Sequence, residues 1–272
     1  TLDPARKALK RVNAEIRMVD EPTPEKILEV AADADGVLAT YGQVTAEILE
    51  GLNNCKVIGR FGIGIDNIDV AAATGYGIVV MNTPFGNSTT TAEHAIALLM
   101  ALSRQIPQAD RSTQMGKWEK SRFMGVEVTG KILGLIGCGN VGSIVAERAQ
   151  GLKMRVLVYD PFMTNEHAAD LGVERVELDI LLARAHFISL HTPLTEATRG
   201  MIDAAALAKT QRGVRIINCA RGGLILEGDL KEAIRAGHVA GAALDVFAEE
   251  PAVKNELFGM PEVTATTHLG TA

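Results

Sequence analysis

Short apolar runs alternate along the chain with stretches in which apolar residues return every three or four positions. Runs of four to six apolar residues bounded by turn residues read as buried strands, and the longer spacing reads as helices that cover them. The first part of the chain therefore predicts a helix opening at Thr1-Leu2-Asp3-Pro4, with Asp3 as its cap and Pro4 at its first position. A strand over 15–19, a helix over 24–32, a strand over 36–40, a helix over 45–51 and a strand over 56–60 follow, then a short helix over 69–74 and a strand over 78–81. No strand precedes the opening helix, where an α/β domain normally has one, so the expectation is either that a few residues are missing before Thr1 or that this sheet is short by a strand.

Thr83-Pro84-Phe85-Gly86 breaks the pattern, because Pro84 forces an extended residue before it and Gly86 loosens the chain. The expected division is a first domain over 1–84, a second over 85–268, and the start of a return to the first over 269–272. The helix over 90–103 is apolar on most faces, which predicts burial between domains or between subunits. Residues 105–129 read as a helix plus an irregular arm, with Trp118 as a packing anchor. Strands are then expected near Lys131, Arg155, Arg175, His186, Val214, Ala240 and Val263. Strands that alternate with helices imply parallel sheets covered on both faces, here two doubly wound α/β domains.

One strand-to-helix junction carries a chemical signal. The apolar run Lys131 to Ile136 enters Gly137-Cys138-Gly139-Asn140-Val141-Gly142, a GxGxxG turn, and the next strand ends in Asp160. That is the dinucleotide pattern: Gly137 for a tight turn, Gly139 for close approach of a pyrophosphate, Gly142 for helix–strand packing, and an acid for the adenosine ribose. The charge of Asp160 disfavours a 2′-phosphate, and no Arg follows in Pro161-Phe162-Met163-Thr164, so the expected cofactor is NAD.

Composition narrows the partners. A chain of 272 residues that is 47% hydrophobic can bury a large core and suits two domains. A net charge of −6 offers no electrostatic footprint for nucleic acid. The longest apolar stretch, near 95–102, is far too short for a bilayer, so no membrane partner is expected. Cys55, Cys138 and Cys219 have neither metal-ligand spacing nor an even count, so no metal is expected and a reducing cytoplasm is the expected compartment.

Ligands of open α/β sheets bind beyond the carboxyl ends of the strands. Four apolar runs end there in polar residues: His191-Thr192, Asn218-Cys219-Ala220-Arg221, Asp245 with Glu249-Glu250, and His268-Leu269-Gly270. An Arg, a carboxylate and a His on the rim of a nicotinamide site are the parts a hydride transfer requires. His268 would exchange a proton with a hydroxyl, Glu250 would hold the imidazolium, and Arg221 would clamp a carboxylate. His94, His167, His186 and His238 are read as structural, His191 as a strand-end packing residue and Asp203 as a helix cap.

Taken together, GCGNVG with Asp160, HTPLTEATRG at 191–200, NCARGG at 218–223, LDVFAEEP at 244–251 and HLG at 268–270 resemble the NAD-dependent D-2-hydroxyacid dehydrogenases. GRFGIGIDNID at 59–69, VVMNTPFGNS at 79–88, AEHA at 92–95 and GKWEKSRFMG at 116–125 extend the resemblance over essentially the whole chain. It implies a Rossmann NAD-binding domain and a smaller flavodoxin-like substrate domain built from both chain ends, and a small 2-hydroxy or 2-keto acid as substrate. Arg221, Glu250 and His268 match the family's catalytic residues. Asp245 matches the acid that bonds the nicotinamide carboxamide, while Ile63, Asn140, Val141, Thr192, Cys219 and Gly270 match cofactor contacts. Arg60, Ile63, Gly64 and Asn87 match positions near substrate, and residues 90–125 match a segment that forms a homodimer or higher homo-oligomer. Family members continue past His268 into a helix that returns to the first domain, and here the chain ends four residues later. Two other functions stay open: a glyoxylate or hydroxypyruvate reductase within the family, and an NAD-sensing or corepressor-like relative that binds without turnover.

Overall fold

The computed structural model describes residues 3–40 and 42–271. The expected helix start at Thr1-Leu2 lies outside them, as does Tyr41. The chain divides into two compact units, Thr1–Gly86 and Asn87–Ala272.

The first unit carries α1 (Asp3–Leu9), α2 (Pro24–Ala31), β1 (Gly36–Ala39), α3 (Ala46–Gly51), β2 (Val57–Arg60), α4 (Val70–Gly75) and β3 (Val79–Met81). Thr23, Thr45 and Asp69 cap α2, α3 and α4 by accepting backbone N–H bonds through their side chains. The strands form a parallel sheet in the order β1-β2-β3. Ile48, Leu49, Ile58, Ala73 and Ile78 form the core beneath it.

The strand expected over 15–19 does not form; its residues carry no regular secondary structure. Met18 is half exposed, and Arg17 turns toward α2, donating to the Val30 carbonyl and to Asp33. The segment is tied down by a charged side chain rather than by a ladder.

The second unit opens with α5 (Ser88–Arg104) and α6 (Ile106–Gln114), followed by β4 (Ile132–Ile136), α7 (Asn140–Gly151), β5 (Arg155–Tyr159), α8 (Asn165–Asp170) and β6 (Glu174–Arg175). It continues through α9 (Leu178–Arg184), β7 (Phe187–Leu190), α10 (Ala204–Ala208), β8 (Val214–Asn218), α11 (Glu227–Arg235), β9 (Val239–Leu244) and β10 (Val263–Ala265). All seven expected strands are present, in one parallel sheet of order β10-β9-β8-β7-β4-β5-β6. The order reverses between β4 and β7, where such sheets open a crevice at their carboxyl ends.

Every residue of β4 and β7 is buried, as strands covered on both faces must be. Alternation sends Leu133, Leu135, Val156, Val158 and Ile217 toward one face and Ile132, Ile136, Leu157, Ile188 and Ile216 toward the other. Helix α5 belongs to this unit's own core. Ala92, Ala95, Leu98, Leu99 and Leu102 form its buried stripe against the first of those faces. Two expectations are corrected here. The helix is buried by its own sheet, and Trp118 is 89% exposed rather than a packing anchor, because the arm after α6 runs over the surface.

Leu135 is fully buried in the central strand. Replacing it with Ala should destabilise the unit by about 2–5 kcal/mol through lost transfer energy and an unfilled cavity, read as a lower urea midpoint.

Candidate active site

At the reversal point the turn after β4 is pressed against the end of β7. Gly137 has φ of 90°, and a Cβ there would lie 2.6 Å from the His191 carbonyl oxygen. A Cβ on Gly142 would lie 2.5 Å from the Gly137 carbonyl oxygen. A Cβ on Gly139 would instead meet nothing within 4 Å. The turn is thus packed tight on its protein side and open in front of α7, whose N-cap Gly139 places no side chain across the helix end. Such an opening, with the positive end of the helix behind it, fits a pyrophosphate.

Asp160 ends β5 beside this turn. Its Oδ2 accepts from the Cys138 N–H at 2.8 Å and its Oδ1 from the Phe162 N–H at 2.8 Å. Both oxygens are oriented by backbone, and each keeps acceptor capacity for a ribose hydroxyl. Burial, with Asp160 nearby, pushes the Cys138 thiol up to about 11, which keeps it protonated. Burial likewise takes His191 down to about 4, so the ring packed on Ser189 at 2.8 Å is a neutral strand-end residue.

Three further strand ends converge beyond β8, β9 and β10. Asn218 shapes the first loop: its Oδ1 accepts from the Ala220 N–H and its Nδ2 donates to the Arg221 carbonyl. The Arg221 guanidinium donates to the Ala220 carbonyl at 2.6 Å. The second loop lies directly against the first, since a Cβ on Gly222 would fall 1.8 Å from the Phe247 carbonyl oxygen. Glu227 holds that loop from α11 by accepting from the Ala248 N–H at 2.7 Å. Glu250 Oε1 accepts from the Phe247 N–H, which leaves Oε2 to meet His268 Nδ1 at 2.8 Å.

His268 adopts a left-handed backbone, φ 56°, and its N–H donates to the Asp245 carbonyl. The hydrogen bond that His268 donates to Glu250, with the charge of that carboxylate, holds the imidazole above its usual 6.5 against the opposing effects of burial and Arg221. Burial alone would raise Glu250, but the bonds from His268 and the Phe247 N–H outweigh it and keep the carboxylate low. The Asp245 side chain is fully buried and accepts from Thr266 Oγ1 at 2.5 Å and from the Leu269 and Gly270 N–H groups at 2.8 Å. Cys219 sits close enough to Asp245 to feel its charge, which together with burial raises its thiol pKa.

The second unit thus brings Arg221, Asp245, Glu250, His268 and Cys219 together, with Asp160, Asn140, Val141 and Thr192 around the glycine turn. Gly270 contributes through its backbone, its N–H to Asp245 and its carbonyl to Thr91. Asn87 precedes α5, and its Oδ1 is buried without a hydrogen-bond partner. In the first unit, Asn82 Nδ2 donates to the Ile63 carbonyl and Thr83 Oγ1 accepts from the Gly62 N–H. These bonds hold the loop that carries Ile63 and Gly64. Arg60 folds onto the same loop through the Phe61 carbonyl and Asn67. Sequence reasoning missed Thr266, Glu227 and His94. The last of these was read as structural, and no spacing in the chain signals that any of the three meets this rim.

A parallel sheet with a glycine turn at its reversal point, an acid at the next strand end and an Arg–Glu–His group on the same rim defines a nicotinamide-dinucleotide-binding α/β unit. More particularly, the chain belongs to the D-isomer specific 2-hydroxyacid dehydrogenases, whose NAD-binding domain model matches residues 96–270. It is 48% identical over 257 residues to D-3-phosphoglycerate dehydrogenase of Mycobacterium tuberculosis, covering 94% of this chain and 49% of that protein. The Bacillus subtilis enzyme of the same name is 43% identical over 261 residues, covering 93% of this chain and 50% of its own length. The chain therefore spans about half the length of the curated relatives it matches. Among solved structures, a glyoxylate reductase from Paecilomyes thermophila superposes with a TM-score of 0.90 at 32% identity, covering 98% of this chain and 85% of that one. D-lactate dehydrogenase from Escherichia coli gives 0.84 at 30% identity, covering 100% and 88%.

Two outcomes follow from the geometry. Gly222→Ala should force the loops after β8 and β9 apart and destabilise the unit by about 1–3 kcal/mol or more, measured by thermal melting. The His268–Glu250 pair should stabilise fully below the unfolded His value of 6.5 and lose that contribution as pH rises through the higher folded value. At the acid end the contribution should fade as pH falls through the depressed Glu250 value. An NMR titration should place His268 above 6.5, and Glu250→Gln should lower it.

Proposed function

We propose that the chain is the catalytic half of an NAD-dependent D-2-hydroxyacid dehydrogenase, with D-3-phosphoglycerate as its substrate and the first step of serine biosynthesis as its place. The observation that carries the activity is the 2.8 Å pair of His268 Nδ1 and Glu250 Oε2 on the rim shared with Arg221. Bound NAD supplies the hydride acceptor, and NADH the donor. Gly137, Gly139, Asn140, Val141 and Gly142 would hold its pyrophosphate, Asp160 its ribose, and Thr192, Cys219, Asp245 and Gly270 its remaining surface in the second unit; Ile63 of the first unit matches a further cofactor contact of the family.

In reduction of a 2-keto acid, protonated His268 gives its proton to the carbonyl oxygen, and Glu250 stabilises the imidazolium beforehand. In oxidation the neutral ring takes that proton back. Arg221 pairs with the substrate carboxylate and polarises the carbonyl. In the first unit the Ile63–Gly64 backbone matches the family's loop for a substrate carboxylate and Arg60 a position near substrate; in the second, Asn87 matches such a position. The buried, unpartnered Oδ1 of Asn87 supports that role, since it has acceptor capacity to offer a hydroxyl.

The substrate rests on the relatives named D-3-phosphoglycerate dehydrogenase. A second reading, glyoxylate or hydroxypyruvate reduction, is favoured by the segment that ends β1 and continues past it. It reads Leu38-Ala39-Thr40-Tyr41-Gly42-Gln43, without the Arg that animal phosphoglycerate enzymes carry there to meet a phosphate. Self-association through α6 and the arm is part of the proposal, supported by the exposure of Ile106, Met115, Trp118 and Met124. Among the described residues no helix is long and apolar enough to cross a membrane.

Turnover of a panel of phosphorylated and unphosphorylated 2-keto acids with NADH tests the reading. Hydroxypyruvate phosphate should be preferred, and His268→Ala should lower kcat by about 10²–10⁴-fold. An unchanged rate in that variant would remove His268 from the acid/base role, and a preference for glyoxylate would establish the second reading.

A further inference from the structure

The geometry points to His94 as a positioning residue. Its Nε2–H is a donor to the buried Asp245–Thr266 pair, and it fixes the carboxylate that meets the coenzyme and the loop that carries His268. The inference rests on the proposal that Asp245 faces the nicotinamide end of NAD.

His94 lies on α5, one turn beyond Thr91. Thr91 Oγ1 donates to the Gly270 carbonyl at 2.8 Å. His94 Nε2 lies 3.2 Å from Thr266 Oγ1 and 3.3 Å from Asp245 Oδ1. Two side chains of one helix therefore grip the 266–270 loop on either side of His268.

The proton inventory decides what His94 does. Thr266 has one hydroxyl proton, and the 2.5 Å contact assigns it to Asp245 Oδ1. The side of Thr266 Oγ1 that faces His94 then presents a lone pair, and Asp245 Oδ1 presents only acceptor capacity. A bare Nε2 in that position would set acceptor against two acceptors. The ring must carry its proton on Nε2 and donate. Asp245 is fully buried, so its charge is held by Thr266, the Leu269 and Gly270 N–H groups and His94.

A competing reading is a metal site, because ligand atoms of His94, Cys219 and Asp245 lie within 4.8 Å of one another. Asp245 Oδ1 is already met by Thr266, the Leu269 N–H and His94, and Oδ2 accepts from the Gly270 N–H with one lone pair left for the coenzyme. His94, Thr266 and Asp245 form a hydrogen-bonded cluster instead, with Cys219 beside it.

The test combines NMR of the wild-type chain with coenzyme binding by two variants. Long-range proton–nitrogen correlation at neutral pH should show His94 with a proton on Nε2. His94→Leu, which fills the space without a donor, should weaken NADH binding measured by fluorescence by about tenfold to hundredfold, the span of one hydrogen bond to a charged group. His94→Gln, whose amide reaches the same point, should stay within about threefold of wild type.

An unprotonated Nε2 would overturn the inference. So would NADH binding by His94→Leu at wild-type strength, a His94→Gln variant as weak as His94→Leu, or stoichiometric zinc in the purified chain that His94→Leu loses. A wild-type chain that fails to bind NADH would refute the coenzyme reading instead, and the tautomer of His94 would still decide its own question.

Discussion

A carboxylate removed entirely from water must be met by donors from the protein, and Asp245 is such a group. Its donors come from residues 266–270 and from α5, so satisfying one charge places a loop that has almost no apolar anchorage of its own. His268 lies in the middle of that loop, in a left-handed conformation that a non-glycine residue adopts only when its surroundings impose it. Its own N–H is held by the Asp245 backbone carbonyl. Asp245 thus positions His268 through both its main chain and its side chain, while the backbone of Asp245 is held in turn by Asn218 across the sheet.

The same economy appears on the neighbouring loops. Asn218 ties down the turn that presents Arg221, and Gly222 permits that turn to lie on the loop of Glu250 at a separation no side chain would allow. Glu227 then holds the Glu250 loop from α11 through the Ala248 N–H, and within that loop the Phe247 N–H orients the Glu250 carboxylate. The site is assembled from backbone–side-chain bonds at strand ends, each anchored to a sheet whose central strands are buried throughout. Positions carried on such elements are held more tightly than positions on long independent loops.

Most of the second unit was legible in the sequence, because the apolar runs of β4, β5, β7 and β8 are continuous, buried at most of their positions and separated by helical spacing. The glycine turn, Asp160, Arg221, Glu250 and His268 were legible for a related reason. They stand at or shortly after the ends of apolar runs, Glu250 beyond β9 and His268 beyond β10, where chemistry-bearing residues have no packing role to explain them. The strand expected over 15–19 failed because alternation in a short segment does not guarantee a ladder partner, and Arg17 found partners on α2. Trp118 failed because aromatic size argues for burial only when a core lies within reach. His94 and Thr266 were illegible because they meet across 172 positions of sequence, a separation that spacing cannot register.

The His94 contact is separable from the packing of α5. Helix α5 would be buried without it, since Ala92, Ala95, Leu98, Leu99 and Leu102 already provide an apolar stripe. A polar ring at the edge of that stripe contributes little to packing, and placing it against a buried carboxylate requires the proton to be on Nε2. The helix therefore does two separable things: its apolar face closes one side of the sheet, and its Thr91–His94 edge sets the height of the loop from which His268 reaches Glu250. Apolar substitution of that edge would leave the stripe able to pack while taking away the donors that align the loop of His268.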